Sequence, residues 1–469
     1  MPYADLREYI RRLEKEGEIT RVKVEVDIKY EMGAICRRVL NEGGVDRNKA
    51  LFFERPQGYS VPVAAGLLDS RSRYYLATET SRENFSQEFL KKTEKPISPR
   101  MVKDGPCKEN VLLGKDVDLL KFPIPTWNEK DGGPYITQAT SIVKDPDTGM
   151  RNMGLYRLQV FNGQSLGIQI APYRQVFQFM TKLSKRGEAL PIAISIGQDP
   201  AITAAAIVAL PPFTDELGLA GAIRGAPVDL IKCETVPLEV PATAEIVIEA
   251  EFRPGDMREE GLFGEFTGYY GEKLLRPAIT IKAITHRNDP IYQACYQGRP
   301  PNCDSVTQIL SHEAEIMRRV QPLGLKKIRM CVGAAMFMAI ASIRKAYSGQ
   351  ERGIAIAILG TPSGKWIKTL IMVDEDIDPD NWTDVEWALG TRFQPIEDVS
   401  ILQGMPGNSL DPALPKEEIF SGANRTSKII IDATKPVHRP YAEECRPKPD
   451  VWENVMANWE KYGIPQVNK

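Results

Sequence analysis

The chain has 469 residues, 42% of them hydrophobic, so two or three domains are expected, since a single core stops growing beyond about 250 to 300 residues. Lys and Arg (60) nearly balance Asp and Glu (62), and no overall field draws the protein to nucleic acid or an acidic membrane surface. Seven cysteines, at 36, 107, 233, 295, 303, 331 and 445, form no Cys-x-x-Cys pair, which argues against a disulfide framework and a structural zinc site. The N-terminus is charged throughout and lacks the apolar core of a signal peptide. The longest near-apolar run, Cys331 to Ile343, is shorter than the ~18 to 20 residues of a membrane span. Reduced thiols, a cytoplasmic location and no membrane insertion are the expectation.

Leu6, Tyr9, Ile10 and Leu13 recur at helical spacing before Gly17 and predict an amphipathic opening helix. Leu51 to Glu54 and Val61 to Leu67 read as strands and Asn84 to Lys92 as a helix, a mixed domain over residues 1–115. From 116 to 305, short apolar runs recur between Pro/Gly-rich turns: Ala139 to Val143, Gly154 to Phe161, Pro191 to Ile196, Ala244 to Ala250 and Ala278 to Thr285. That pattern suits a barrel-like sheet. Over 306–445 the alternation changes to helices at 308–320, 334–347 and 382–389 with strands near Gly353 to Leu359 and Lys428 to Ile431, an α/β domain. A tail over 446–469 holds a last helix, Asp450 to Tyr462, with Trp452, Val455, Met456 and Trp459 on one stripe.

Two segments of the central region carry the chemistry. Glu260-Gly-Leu-Phe-Gly-Glu265-Phe-Thr-Gly-Tyr-Tyr-Gly271 places two carboxylates five residues apart in a turn-prone stretch, where Phe263, Phe266, Tyr269 and Tyr270 can exclude water. Carboxyl groups brought together in such a setting cannot both ionise cheaply, so one holds its proton near neutral pH. Upstream, Arg151-Asn-Met-Gly-Leu-Tyr-Arg157-Leu-Gln-Val-Phe161 reads as a turn and a strand with Arg157, Gln159 and Phe161 on one side. A surface turn and a plain Arg/Glu ion-pair network are the structural alternatives.

Together these segments resemble the UbiD-type decarboxylases that use prenylated flavin mononucleotide (FMN), marked by an Asn-x-Gly-x-Tyr-Arg strand and a Glu-Gly-x-x-Gly-(Glu/Asp)-x-Thr-Gly-Tyr-Tyr turn. The likeness extends through Leu219–Gly225, Asp229–Thr235, Val236–Ala250 and Ser409–Pro412, most of the chain. It implies an α+β, α/β multidomain fold. In it a central split β-barrel of the flavin-reductase type is flanked by N-terminal and C-terminal α/β domains, with the C-terminal helix at an oligomer interface. It further implies reversible, non-oxidative decarboxylation of an aromatic, heteroaromatic or α,β-unsaturated carboxylic acid through a covalent adduct with prenylated FMN.

The resemblance assigns Arg157, Glu260 and Glu265 as catalytic, with Glu265 the proton donor and Glu260 holding the arginine. It places the flavin against Asn152, Leu155, Tyr156, Arg157, Gln169, Ile170, Ala171, Tyr173, Arg174, Gln175 and Glu216. Asn152 and Glu216 match two metal ligands of the family, for Mn²⁺ or Mg²⁺ with K⁺ beside it. The family's histidine ligand falls on Tyr173, a poor ligand because a phenol of pKa ~10 stays protonated, and Arg174 offers a direct contact to the flavin phosphate instead. A flavin prenyltransferase as cofactor supplier and a homodimer or dimer-based hexamer complete what the likeness implies.

Other motifs fail on inspection. Gly360-Thr-Pro-Ser-Gly-Lys365 has three residues between its glycines where a phosphate loop needs four, and Trp366 follows the lysine. Asp374, Asp376, Asp378 and Asp380 lack a calcium loop's glycine, and His286, His312 and His438 support no hydrolase triad. A flavin-dependent oxidoreductase on the same barrel would not need the Glu/Arg/Glu set, and a non-catalytic carboxylase subunit would not retain it.

Overall fold

The computed structural model describes residues 3–43, 48–172, 174–208, 214–420 and 422–464. The opening helix, Leu6–Lys15, starts where the Asp5 side chain accepts the Glu8 amide, 2.9 Å away. It buries all four predicted apolar residues against Ala50, Phe52, Ala64, Leu67 and Leu68. Beneath it lies a four-stranded sheet in the order Ile19–Val26, Ala50–Pro56, Val63–Ala65, Tyr292–Ala294. Its last strand arrives from far along the chain and pairs in parallel with Val63–Ala65, tying the N-terminal layer to the end of the central region.

The central sheet has nine strands. Its path runs Tyr135–Ile136, Leu158–Asn162, Ser165–Ile168, Leu274–His286, Ile246–Glu260, Leu190–Ile196, Thr140–Lys144, Arg151–Leu155, with Asn110–Leu113 also beside Leu274–His286. Among the described residues no ladder joins Tyr135–Ile136 to Arg151–Leu155, so the path is open where a closed barrel would be sealed. The run read as one strand from Gly154 to Phe161 is two, Arg151–Leu155 and Leu158–Asn162, at opposite ends of that path. Tyr156 and Arg157 are the link between them.

The C-terminal sheet is five-stranded, in the order Leu325–Met330, Met338–Ile343, Thr369–Asp374, Arg425–Ala433, Val399–Pro406. Two expectations fail here. The helix expected over 334–347 is a strand, Met338–Ile343, and the strand expected near Gly353 to Leu359 is a helix, Gln350–Leu359. In the first, Ala339 to Ile343 are buried on both faces between neighbouring strands, so no periodicity shows. In the second, Ile and Ala alternate as in a strand, yet burial falls on Glu351, Ile354, Ala355, Ile358 and Leu359, a helical stripe that leaves Ile356 exposed. The final helix, Pro449–Ala457, keeps Trp452 and Met456 of the predicted stripe about half exposed, with Val455 and Trp459 partly buried, so the stripe is not packed into this chain's own core. No helix among the described residues is long and apolar enough to cross a membrane.

Candidate active site

The strands Ile246–Glu260 and Leu274–His286 form a long antiparallel hairpin in which Glu260 pairs with Leu274, so Glu260 ends a strand and Glu265 hangs in the connecting loop. That loop is folded on itself: Glu265 N donates to Tyr269 O, Gly268 N to Glu265 O and Gly271 N to Phe263 O. Gly268, at φ +87°, makes the reversal that a side chain would resist. Phe263 and Phe266 are buried; Tyr269 and Tyr270 instead face outward, so only two of the four expected aromatics shield the site.

A second anchor sets the depth of the turn. Gln159 donates from Nε2 to Gly132 O and accepts the Gly261 amide on Oε1, both at 2.8 Å. Gly132 and Gly261 lie backbone to backbone, and a Cβ on Gly132 would stand 2.5 Å from the Gly261 Cα. The Tyr135 hydroxyl adds a hydrogen bond to Gly261 O.

Arg157 reaches this turn from the link between two strands. Its Nε and Nη2 donate to the two oxygens of Glu260 at 2.9 and 3.0 Å, and its Nη1 donates to Glu265 Oε1 in a short contact. Arg276 donates from Nε to Glu260 Oε2 at 3.2 Å, and the Phe263 ring lies 4.9 Å under the Arg157 guanidinium. Glu260 is fully buried and Glu265 nearly so. Burial opposes the charge of Arg157, but Glu265 and Glu260 more than offset it and hold its pKa above the ordinary range. Burial raises the Glu265 carboxyl above its usual range; Arg157 pulls it down by less, and the Glu260 charge adds to the rise. Two guanidinium groups thus face two carboxylates.

Five positions before Arg157 a different cluster forms. Asn152 Nδ2 donates to Glu216 Oε1 at 2.9 Å and to Gln175 Oε1 at 2.7 Å, while Glu216 Oε2 accepts the Met153 amide. Asn152, Gln175 and Glu216 therefore converge, at the N-termini of the helices Gln175–Arg186 and Glu216–Arg224. Burial pushes the Glu216 carboxyl up to about 7. Among the described residues no three His, Cys, Asp or Glu side chains are placed to hold a metal. The oxygens that do converge are Glu216 Oε1 and Gln175 Oε1, with the Asn152 side-chain nitrogen between them; a turned Asn152 amide would add a third oxygen for a hard cation. Tyr173 lies outside the described residues.

Arg174 caps the helix Gln175–Arg186, and its amide turns back to Ala171 O at 3.0 Å. Gln169, Ile170 and Ala171 precede it as irregular chain, with the Gln169 amide on Arg157 O at 3.3 Å, while Leu155 and Tyr156 close the strand on the other side. From the C-terminal half, Lys365 comes close enough for Arg174 to act on it: burial first, then Arg174, lowers its pKa to about 8. His312 Nδ1 bonds Ser363 Oγ at 3.0 Å, its Nε2 has no partner, and burial with the nearby Lys365 and Arg174 keeps the ring neutral, at a pKa of about 3. Like charges gathered at a helix N-terminus fit an anion such as a phosphate. The Gln169 amide on Arg157 O ties the chain that leads into this helix start to the Arg157 link. A phosphate at the one and a reactive part at the other is the division that a flavin mononucleotide would use. Sequence reading missed Arg276, set Lys365 aside with a loop that fails as a phosphate motif, and read His312 only as outside any hydrolase triad.

Known proteins settle the family. Family models for the N-terminal, Rift-related and C-terminal domains of 3-octaprenyl-4-hydroxybenzoate carboxy-lyase match residues 10–93, 100–300 and 305–433. This chain belongs to the UbiD family. Among solved structures, the UbiD-class enzyme HmfF from Pelotomaculum thermopropionicum, in complex with FMN, superposes with a TM-score of 0.88 at 35% identity, covering 97% of this chain and all of that one. Vanillic acid decarboxylase from Sedimentibacter hydroxybenzoicus gives 0.87 at 32% identity over 98% of this chain and all of its own. The Klebsiella pneumoniae 3,4-dihydroxybenzoic acid decarboxylase gives 0.85 at 30%, over 96% and 99%. A curated protein without assigned function, from Archaeoglobus fulgidus, is 38% identical over 461 residues, 93% of this chain and 92% of its own length. In this UbiD-family chain, Arg157, Glu260 and Glu265 are thus held together by one sheet, one hairpin loop and one strand link.

Proposed function

We propose that this chain catalyses the reversible, non-oxidative decarboxylation of an aromatic, heteroaromatic or α,β-unsaturated acid with prenylated FMN. The observation that carries it is the closed Glu260–Arg157–Glu265 network, with the raised pKa on the glutamate that sits in the loop. HmfF has been solved with FMN and, in an evolved dimeric form, with prenylated FMN, and the two decarboxylases above are named for hydroxylated benzoic acids.

A carboxylate on an sp² carbon leaves a carbanion with nothing to delocalise it, and prenylated FMN, when bound, supplies that electron sink. The residues do the rest. Arg174, Lys365 and the helix N-terminus at Gln175 would hold the flavin's phosphate, and Asn152, Gln175 and Glu216 would sit beside a hard cation if one accompanies it. Arg157, gripped on one edge by Glu260, fixes Glu265 and keeps one N–H on each terminal nitrogen for the substrate. Glu265, protonated, delivers the proton that replaces carbon dioxide, assistance worth about 10² to 10⁴ in rate. The flavin would lie on the central sheet in a split-barrel arrangement, and the stripe of Trp452, Val455, Met456 and Trp459, of which Trp452 and Met456 are about half exposed, would cover a second copy of the chain in a homo-oligomer.

The test is co-production with a flavin prenyltransferase, followed by carbon dioxide release from a panel of aryl, heteroaryl and unsaturated acids. Release that requires the prenylated cofactor is expected; cofactor-loaded protein that releases none and exchanges no deuterium at the carboxylated carbon overturns the proposal.

A further inference from the structure

The two glutamates meet Arg157 with unequal support. Glu260 stands on a strand, paired with Leu274, and is gripped by Arg276 as well. Glu265 stands on loop backbone, so its aim depends on how that backbone is tied down. Gly264, just before it, donates its amide to Asp131 Oδ1 at 2.8 Å. Phe266, just after it, accepts Asn302 Nδ2 on its carbonyl at 2.8 Å. The backbone on either side of Glu265 is thus held by a buried side chain, Asp131 from the stretch before Tyr135–Ile136 and Asn302 from the start of the helix Cys303–Val320.

Asp131 is itself firmly mounted. Its other oxygen, Oδ2, accepts the Asn128 amide at 2.8 Å, and its own amide returns to Asn128 O at 3.1 Å, closing a turn over residues 128–131. That turn is pressed onto the loop that carries Glu265. A Cβ on Gly264 would stand 2.4 Å from Asn128 Nδ2, the Lys130 amide donates to the Tyr270 hydroxyl at 3.0 Å, and the Gly132 amide donates to Leu262 O at 2.7 Å. Burial raises the Asp131 carboxyl, and the Asn128 and Gly264 amides draw it back toward the charged form. A carboxylate makes stronger hydrogen bonds than a neutral acceptor, and here that strength goes into the backbone beside Glu265.

Resting on the decarboxylase reading, we propose that Asp131 is a positioning residue for proton delivery: through the Gly264 amide it holds the backbone that points Glu265 at Arg157 and at the reacting carbon. With Asn302 on the far side, the side chain between the two ties has little freedom to turn. Without Asp131 the loop keeps its tie at Phe266 and pivots about it. A misplacement of about 1 Å is enough to cost up to about 10² in rate.

The test uses the full-length chain loaded with prenylated FMN. Asp131→Ala should lower kcat for carbon dioxide release about 10- to 100-fold, with KM within about threefold and flavin occupancy retained. Asp131→Asn, which keeps an acceptor oxygen for the Gly264 amide, should recover at least about half of that loss on a logarithmic scale. In the Glu265→Gln background, where no carboxylic acid remains to be aimed, adding Asp131→Ala should change the residual rate less than about threefold. A loss that Asp131→Asn leaves in full, or that adds in full to Glu265→Gln, makes Asp131 a residue of the fold and overturns the proposal. Amide hydrogen exchange reads the tie apart from turnover: in Asp131→Ala residues 260–271 should exchange at least about tenfold faster, while Leu190–Ile196 in the same sheet is unchanged. Equal protection of residues 260–271 in the variant and the native chain overturns the proposal whatever the rates. If loaded native protein releases no carbon dioxide and exchanges no deuterium at the carboxylated carbon, the decarboxylase reading falls, and amide exchange over residues 260–271 alone decides whether Asp131 fixes Glu265.

Discussion

The two ends of the candidate site are built on opposite electrostatic principles. Around Arg157 every charge meets an opposite one: Glu260 takes two donors of Arg157 and one of Arg276, and Glu265 takes a third from Arg157. Around Arg174 like charges come close: burial and Arg174 lower the Lys365 pKa, the His312 Nε2 has no partner, and burial raises the Glu216 carboxyl. The first end is complete in itself, as groups that handle a proton must be. The second gathers like charges at a helix N-terminus, an arrangement that suits an anion.

The largest effect should come from breaking the complete end. Arg157→Ala strands two buried carboxylates, and loss of a buried partner costs about 3–5 kcal/mol. Decarboxylation should vanish, with a large drop in the denaturation midpoint; an unchanged midpoint would show that the network is not the structural keystone it looks to be. Next is Glu265→Gln, which keeps the shape and removes the proton. Carbon dioxide release or deuterium exchange should fall by about 10² to 10⁴ with flavin occupancy retained. The native rate should fall as pH rises through the Glu265 pKa, because a raised pKa keeps the acid protonated at lower pH and the donor is lost above it. A flat alkaline limb would move the proton donor elsewhere. The smallest effect belongs to the other end: Lys365→Ala should weaken FMN binding about tenfold in a fluorescence titration, with fold and acid–base chemistry unchanged. An equal loss of stability would make Lys365 a structural residue.

How much of this was legible depended on whether the signal was local. Leu6, Tyr9, Ile10 and Leu13 lie within one helix, and their spacing carried the whole prediction. Met338–Ile343 and Gln350–Leu359 were exchanged because in each the apolar pattern is set by neighbours remote in sequence. The site divides in the same way. Arg157, Glu260 and Glu265 stand in dense motifs, and the structure brings them together. Lys365 was dismissed with a loop whose spacing suits no phosphate-loop motif. Only the packing of the C-terminal half on the central sheet gives it a role. Arg276 sits in an alternating strand like any other basic residue and gains meaning from Glu260 across the hairpin.

The contact between Gly132 and Gly261 acts as a gauge block. Neither glycine can touch a substrate through a side chain, yet their backbones meet where Glu260 passes into the loop, with no room for a Cβ on either. In a saturation library these two silent positions should tolerate as few replacements as the acids themselves, since even one methyl group would pry the hairpin from its seat.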